Sequence, residues 1–349
     1  MSTQPPTMNE VSFRPRRYPF PDRPRGWYAL SWSHELPPGT LKTGTWFAQD
    51  LALWRTASGR LVVSSAYCPH LGAHFGHGGC VEGEQLRCPF HDFRFGADGR
   101  CEQTPYGKPP PAAHLRTWTV REINGLILVW WDPAGRPPDF AIPALDVEGW
   151  TTPRVHRWRL RSHPQETTEN AVDVGHFPGV HGYHDLRVLR PLTTDGAHMN
   201  VHYGVTRSGA ILGRPWRTVA IDFDIHVHGL GYSQVNAAIP ELGLRTRTFV
   251  LATPTDDEHI DLSIGISVER QRRGSISPLL LLLPRTLAWE LIARAALLTY
   301  RNEVSQDIAI WENKAYTHPP ALADGDGPVG RYRAWAGQFY REHGSQPCV

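Results

Sequence analysis

The chain has 349 residues, 40% of them apolar and 20% charged, with a formal charge of +2; this is the composition of a folded protein with room for two cores. So small a net charge, without a long run of one sign, excludes a dedicated nucleic-acid surface. Five cysteines in a chain of this length exclude a disulfide framework, while 18 histidines, several of them beside cysteine or aspartate, direct attention to metals.

Residues 1–25 are rich in proline and arginine and read as an N-terminal arm. They carry no apolar run, so no signal peptide is expected and the default compartment is the cytoplasm. Short strand-like runs broken by glycine turns follow, among them 61–65 and 125–131, and make 26–135 an all-β domain. The proline-rich joint at 133–143 marks its end. The second domain, 136–349, opens with the alternating run 154–160 and passes through a segment rich in acids and histidines at 165–185. It returns to strands such as 220–228 and 260–268, then closes with helices at about 284–314 and 331–342. A small all-β unit followed by an antiparallel sheet backed by long helices is the expected architecture, of α+β class. The most lipid-like stretch, 279–298, contains Pro284, Arg285, Glu290 and Arg294, so it reads as a buried or surface-lying helix rather than a span. A peripheral membrane contact there stays open.

In the first domain, Cys68-Pro-His70 and Cys88-Pro-Phe-His91 form two pairs separated by 17 residues. Two thiolates and two imidazoles hold either a tetrahedral zinc or a Rieske [2Fe–2S] cluster. One residue between Cys68 and His70 is short for a zinc knuckle, which favours the cluster. The glycines that follow the first pair, Gly72, Gly76, Gly78 and Gly79, suit two loops meeting tip to tip. Cys80, Cys101 and Cys348 have no role beyond packing or free thiols.

In the second domain, Asp173-Val-Gly-His176-Phe-Pro-Gly-Val-His181 places Asp173 and His176 on one helical face. His181 would point elsewhere on an unbroken helix, but Pro178-Gly179 can break it and let both imidazoles converge. The pair could equally be surface residues. A third, carboxylate ligand would complete the face of an O2-activating Fe(II) site. Asp307 is the candidate, because on a helix it falls within the apolar stripe Tyr300, Val304, Ile308, Trp311 and Ala315. A carboxylate there needs a cation, either iron or an arginine such as Arg294 or Arg301.

These segments together resemble the Rieske non-haem iron oxygenases. The runs 67–79 and 87–95 are similar to the Rieske domain of ring-hydroxylating and steroid oxygenases. The stretches 162–181, 306–316, 324–330 and 333–340 resemble the cholesterol 7-desaturases and the oxygenase component of 3-ketosteroid 9α-hydroxylase. The resemblance implies a helix-grip (START-like) catalytic domain, a [2Fe–2S] cluster on Cys68, His70, Cys88 and His91, and a mononuclear Fe(II) on His176, His181 and Asp307. It implies O2 as co-substrate, NAD(P)H used through a separate ferredoxin or flavin reductase, and hydroxylation or desaturation of an apolar polycycle, a sterol or steroid. Asp173 would not bind metal but would bridge His176 to the partner subunit's His91 in a homotrimer. The animal desaturases carry an N-terminal membrane anchor that is not read here, which favours a soluble protein. A non-steroid metabolite as substrate, and a non-catalytic electron-transfer or zinc protein, are the competing readings.

Overall fold

The structure is a computed structural model that describes residues 17–20, 23–211, 214–270 and 284–340, without the side chains of 209–217 and 285. In the N-terminal half, β1 (Gly26–Trp32), β9 (Val120–Ile123) and β10 (Leu126–Trp131) form one antiparallel sheet in the order β1-β10-β9. A second contains β2 (Leu41–Trp46), β3 (Gln49–Arg55) and β4 (Leu61–Ser65), and a third β5 (Cys80–Glu82), β6 (Gln85–Arg87), β7 (Arg94–Phe95) and β8 (Cys101–Gln103). Every residue of β10 is buried, as expected of a strand packed on both faces. One face meets Tyr28, Phe47 and Val63, and the other meets the C-terminal half.

That half is built on seven antiparallel strands, β11 (Arg154–Leu160), β12 (Tyr183–Asp195), β13 (His198–Ile211), β14 (Arg214–His228), β15 (Tyr232–Ile239), β16 (Leu244–Pro254) and β17 (Ile260–Val268). Their order is β11-β17-β16-β15-β14-β13-β12. Helix α1 (Pro164–Glu169) precedes β12, while α2 (Arg285–Trp311) and α3 (Val329–Ala336) follow the sheet. The seam between halves is aromatic. Trp27, Trp32 and Trp130 pack with Tyr232, Phe249 and Leu251, and Trp32, 1% exposed, donates from Nε1 to Ser263 Oγ at 3.2 Å.

The α+β architecture is the one expected, and β4, β11 and β17 coincide with the runs 61–65, 154–160 and 260–268. Three expectations need correction. Helix α2 ends at Trp311 rather than 314, and Ala315 is exposed instead of continuing the buried stripe. The chain turns there because Lys314 is drawn back to the fully buried Glu166 (2.6 Å), and Arg17 donates to the carbonyls of Trp311 and Lys314, satisfying orphan acceptors of the helix end. Among the described residues only α2 is long, since α3 spans eight residues before a single tighter turn at Gly337–Phe339. Finally, the described part of the 1–25 segment is no free arm. Phe20 lies 4.8 Å from the Tyr340 ring and 4.7 Å from that of His163, and the Arg25 N–H donates to Phe339 O at 3.0 Å. The rest of that arm, residues 279–283 and Cys348 fall outside the described residues. No described helix is long and apolar enough to cross a membrane.

Candidate metal centres

Two hairpin-like loops carry the first cysteine–histidine set: 66–79 between β4 and β5, and 88–93 between β6 and β7. Each is closed by backbone bonds, Cys68 N–H to Ala73 O (2.8 Å) and Cys88 N–H to Phe93 O (2.8 Å). The loop tips place Cys68 and Cys88, 2% and 1% exposed, on the inner side. The His70 and His91 rings lie 4.7 Å apart. Phe93 stacks on His70 at 4.3 Å and fixes its plane, a contact that sequence reasoning did not assign. Burial, aided by the neighbouring Cys88, pushes the Cys68 thiol up to about 12. The Nδ1 atoms of both histidines are buried without a hydrogen-bond partner. Two orphaned imidazole nitrogens beside two buried thiols fit the donor set of a Rieske cluster. Cys80 and Cys101 stand apart as free thiols on β5 and β8, with Cys80 Sγ accepting from Arg87 Nε at 3.4 Å.

The second set is assembled across the sequence. Helix α1 starts on His163, whose Nδ1 accepts from Gln165 N–H at 3.1 Å, with Pro164 in the first turn. All six residues of α1 are buried. Arg333 of α3 grips Glu169 with two bonds of 2.7 and 2.8 Å, and Tyr332 Oη donates to Gln165 O at 2.8 Å. The 324–330 stretch then packs behind the metal segment. A side chain at Gly327 (φ +84°) would meet Val172 O at 2.2 Å, so only glycine permits this approach.

The geometry of 173–181 differs from the expectation of a broken helix. Phe177–His181 form a single π-turn closed by Gly182 N–H to Phe177 O, with Gly182 at φ 65°. In a turn bonded i to i+5, residues five apart come to the same side. His176 and His181 therefore converge, with ring centroids 5.0 Å apart, and Pro178-Gly179 lies inside the turn rather than interrupting it. Asp307 arrives from α2 with its carboxylate 3.5 Å from His181 Nε2, and ligand atoms of His176, His181 and Asp307 all lie within 4.8 Å of one another. Asp307 is 6% exposed, and its ion-pair partner is His181, not Arg294 or Arg301. Burial alone would lower the His181 pKa, but Asp307 outweighs it and the net shift is upward. Such a buried carboxylate facing two imidazoles fits a divalent iron.

The outer contacts of this set were only partly foreseen. Asp173 Oδ2 lies 3.6 Å from His176 Nδ1 and keeps 39% of its side chain exposed. Burial raises its carboxyl, yet His176 outweighs it and holds the pKa below the usual value. Gln306 Oε1 sits 3.0 Å from His181 Nδ1. It was not assigned from sequence, although its place beside Asp307 puts both on α2 within reach of one ring. The lining of the adjoining cavity, about 130 Å³, includes Phe177, Phe223, Ile225, Val235, Trp311 and the polar pair Tyr183 and Glu303.

Comparison with known proteins agrees with this construction. Residues 26–120 match the Rieske [2Fe–2S] domain family, and 129–340 match the 3-ketosteroid 9α-hydroxylase C-terminal domain family. Cholesterol 7-desaturase nvd 1 of Ciona intestinalis is 30% identical over 334 residues, covering 92% of this chain and 69% of that protein. A probable 3-ketosteroid-9-alpha-monooxygenase oxygenase component of Rhodococcus rhodochrous is 30% identical over 354 residues, covering 95% and 82%. The fold is shared with dicamba monooxygenase bound to 3,6-dichlorosalicylic acid, at a TM-score of 0.67 and 21% identity over 90% of this chain and 96% of that one. The chain belongs to the Rieske non-haem iron oxygenases, an oxidoreductase family, in the branch that joins a [2Fe–2S] domain to the C-terminal domain of 3-ketosteroid 9α-hydroxylase.

Proposed function

We propose that this chain is the oxygenase component of a multi-component system that hydroxylates or desaturates a sterol or steroid. The carrying observation is the trio His176, His181 and Asp307 beside an apolar cavity. In this reading 26–135 is the Rieske domain, with Cys68, His70, Cys88 and His91 holding the cluster, and 136–349 is the catalytic domain. When bound, cluster and iron supply the one-electron and O2 chemistry, drawing electrons from NAD(P)H through a separate reductase. The protein's own residues do the rest. His176, His181 and Asp307 would hold the iron, the π-turn sets the angle between the imidazoles, and Phe177 and Phe223 help keep the cavity dry. Its volume, about 130 Å³, is below the ~300 Å³ of sites for drug-sized ligands, so a fused-ring substrate extends past it or displaces its lining. The relatives named above support a sterol alcohol or a 3-ketosteroid.

Asp173 is assigned as the link to the partner subunit's His91 in a head-to-tail homotrimer. In support, Leu71 and Phe90 are 65% and 62% exposed beside the cluster histidines, and Leu186, Val188 and Leu189 stand exposed on the edge strand β12. Both are surfaces that association would bury. Asp173→Asn should retain both metals and slow turnover. The reading places the enzyme in the cytoplasm, where Cys68 and Cys88 stay reduced. A peripheral membrane contact is favoured by Leu287, Leu291 and Leu298, all exposed on α2, and fails if sterol-containing liposomes do not sediment the protein.

The experiment is metal analysis joined to turnover of a steroid panel by the reduced, oligomeric enzyme. About three irons per chain with no zinc, and a product from at least one steroid, are expected. Zinc in place of iron would overturn the oxygenase reading, and loaded enzyme that turns over no steroid would overturn the substrate class.

A further inference from the structure

Glu303 lies one helical turn before Asp307 on α2, so the two carboxylates share a face and are separated by about 6 Å along the helix. It lines the cavity with 13% of its side chain exposed. Two partners hold it: Tyr183 Oη donates to Oε2 at 2.9 Å, and Arg207 Nη1 pairs with Oε1. Arg207 also lies over the Tyr183 ring, 5.5 Å from its centre. Nothing in the ligand geometry of the metal trio uses this group. Outside the metal trio it is the charged corner of a cavity whose apolar walls include Phe177, Phe223, Ile225 and Val235. Burial of such a group costs stability unless it acts on a ligand or a neighbour.

The chemistry that the corner turns toward the cavity is one-sided, because Arg207 pairs with Glu303 and is not among the lining residues. A carboxylate accepts hydrogen bonds and donates none, and its two oxygens have room for about four. The Tyr183 hydrogen is already spent on Glu303. A substrate hydroxyl can therefore donate to Glu303, whereas a ketone oxygen there would face lone pairs and desolvate the carboxylate without return. Outside the metal trio and Tyr183, the other polar groups on the lining, Thr167, Thr168, Asn170, Ser233 and Tyr300, are neutral, and Asn170 Oδ1 already accepts from Trp311 Nε1 at 3.3 Å. Hydrogen bonds to a charged acceptor are roughly twice as strong as neutral ones, so the Glu303 corner dominates orientation.

We propose that Glu303, braced by Tyr183 and Arg207, is the polar anchor of the substrate cavity and that it selects a polycyclic alcohol over the matching ketone. This rests on the reading of His176, His181 and Asp307 as the iron site of an oxygenase for apolar polycycles. It goes further by naming the functional group that sets the pose.

The test uses iron-loaded holoenzyme with nitric oxide as a reporter on the mononuclear iron, and follows the change in its electron paramagnetic resonance signal on titration. Two matched pairs are compared: 5α-cholestan-3β-ol with 5α-cholestan-3-one, and 2-decalol with 2-decalone. The alcohol should bind about tenfold or more tightly in at least one pair, and Glu303→Gln, which adds a donor, should erase or invert that preference. Tyr183→Phe, which frees a lone pair of Glu303 and leaves the carboxylate in place, should keep it. Alcohol preference with the decalins alone supports the anchor and sinks the steroid reading. Ketone preference, equal binding, a preference that survives Glu303→Gln, or no binding by any of the four overturns the anchor.

Discussion

The two candidate centres are built by opposite strategies. Cys68, His70, Cys88 and His91 sit within 24 consecutive residues on two loops of short strands, and each loop closes on its own backbone. His176 and His181 share one turn, but their carboxylate comes from 126 residues beyond His181, on a helix whose placement depends on β11, β17 and Arg17. The first site is specified by local sequence and the second by the whole fold. Perturbations should therefore separate them.

The largest separation is expected from Asp307→Ala. Removing the only carboxylate of the trio should abolish mononuclear iron and turnover while the Rieske absorbance stays intact; an enzyme that retains full turnover would sink the assignment. Trp32→Ala strikes the seam between the halves, and loss of a buried tryptophan should cost about 3–5 kcal/mol, read by chemical denaturation. If the locally built site is the sturdier, its visible spectrum should outlast the C-terminal iron as denaturant rises. Gln306→Leu leaves His181 Nδ1 without its acceptor, and iron affinity should fall about 10–100-fold with no change at the cluster. Simultaneous loss of both metals would break the contrast.

The smallest effect lies at a tie distant from both metals. Glu35 of the N-terminal half accepts from Arg157 Nη2 at 2.6 Å and from Ser31. Burial raises its carboxyl, but these partners outweigh it and hold the pKa at about 2. A depressed carboxyl stabilises above its unfolded pKa, near 4.5, and loses that contribution as pH falls toward 2. Because Arg157 is largely exposed, Glu35→Gln should change stability by less than about 1 kcal/mol at neutral pH. It should also flatten the acid limb of the melting temperature between pH 4.5 and 2, with both metals retained at neutral pH.

The same contrast explains what the sequence revealed. Alternation and turn glycines located β4, β11 and β17, since a strand half-buried on a sheet must alternate. The cysteine–histidine spacing exposed the first site because every partner lies nearby. Asp307 was legible for a different reason: a carboxylate in an apolar stripe is too costly without a cation. Less visible were contacts set by tertiary approach, namely Gln306 on His181, Phe93 on His70 and the Tyr183–Glu303–Arg207 corner. The end of α2 was misplaced because Lys314 and Arg17 stop the helix through side chains far apart in the sequence. No periodicity announces a π-turn, whose one extra residue looks like a break.

That extra residue makes the aim of His181 depend on how the segment from Phe177 to His181 is bonded. In an α-helix each residue advances the next by about 100°, so a residue five beyond His176 would point about 140° away from it. Gly182, at φ 65°, closes the wider turn that removes this offset, and a β-branched residue tolerates that backbone angle poorly. Gly182→Val should therefore misaim His181 and silence the oxygen chemistry while every coordinating residue remains present.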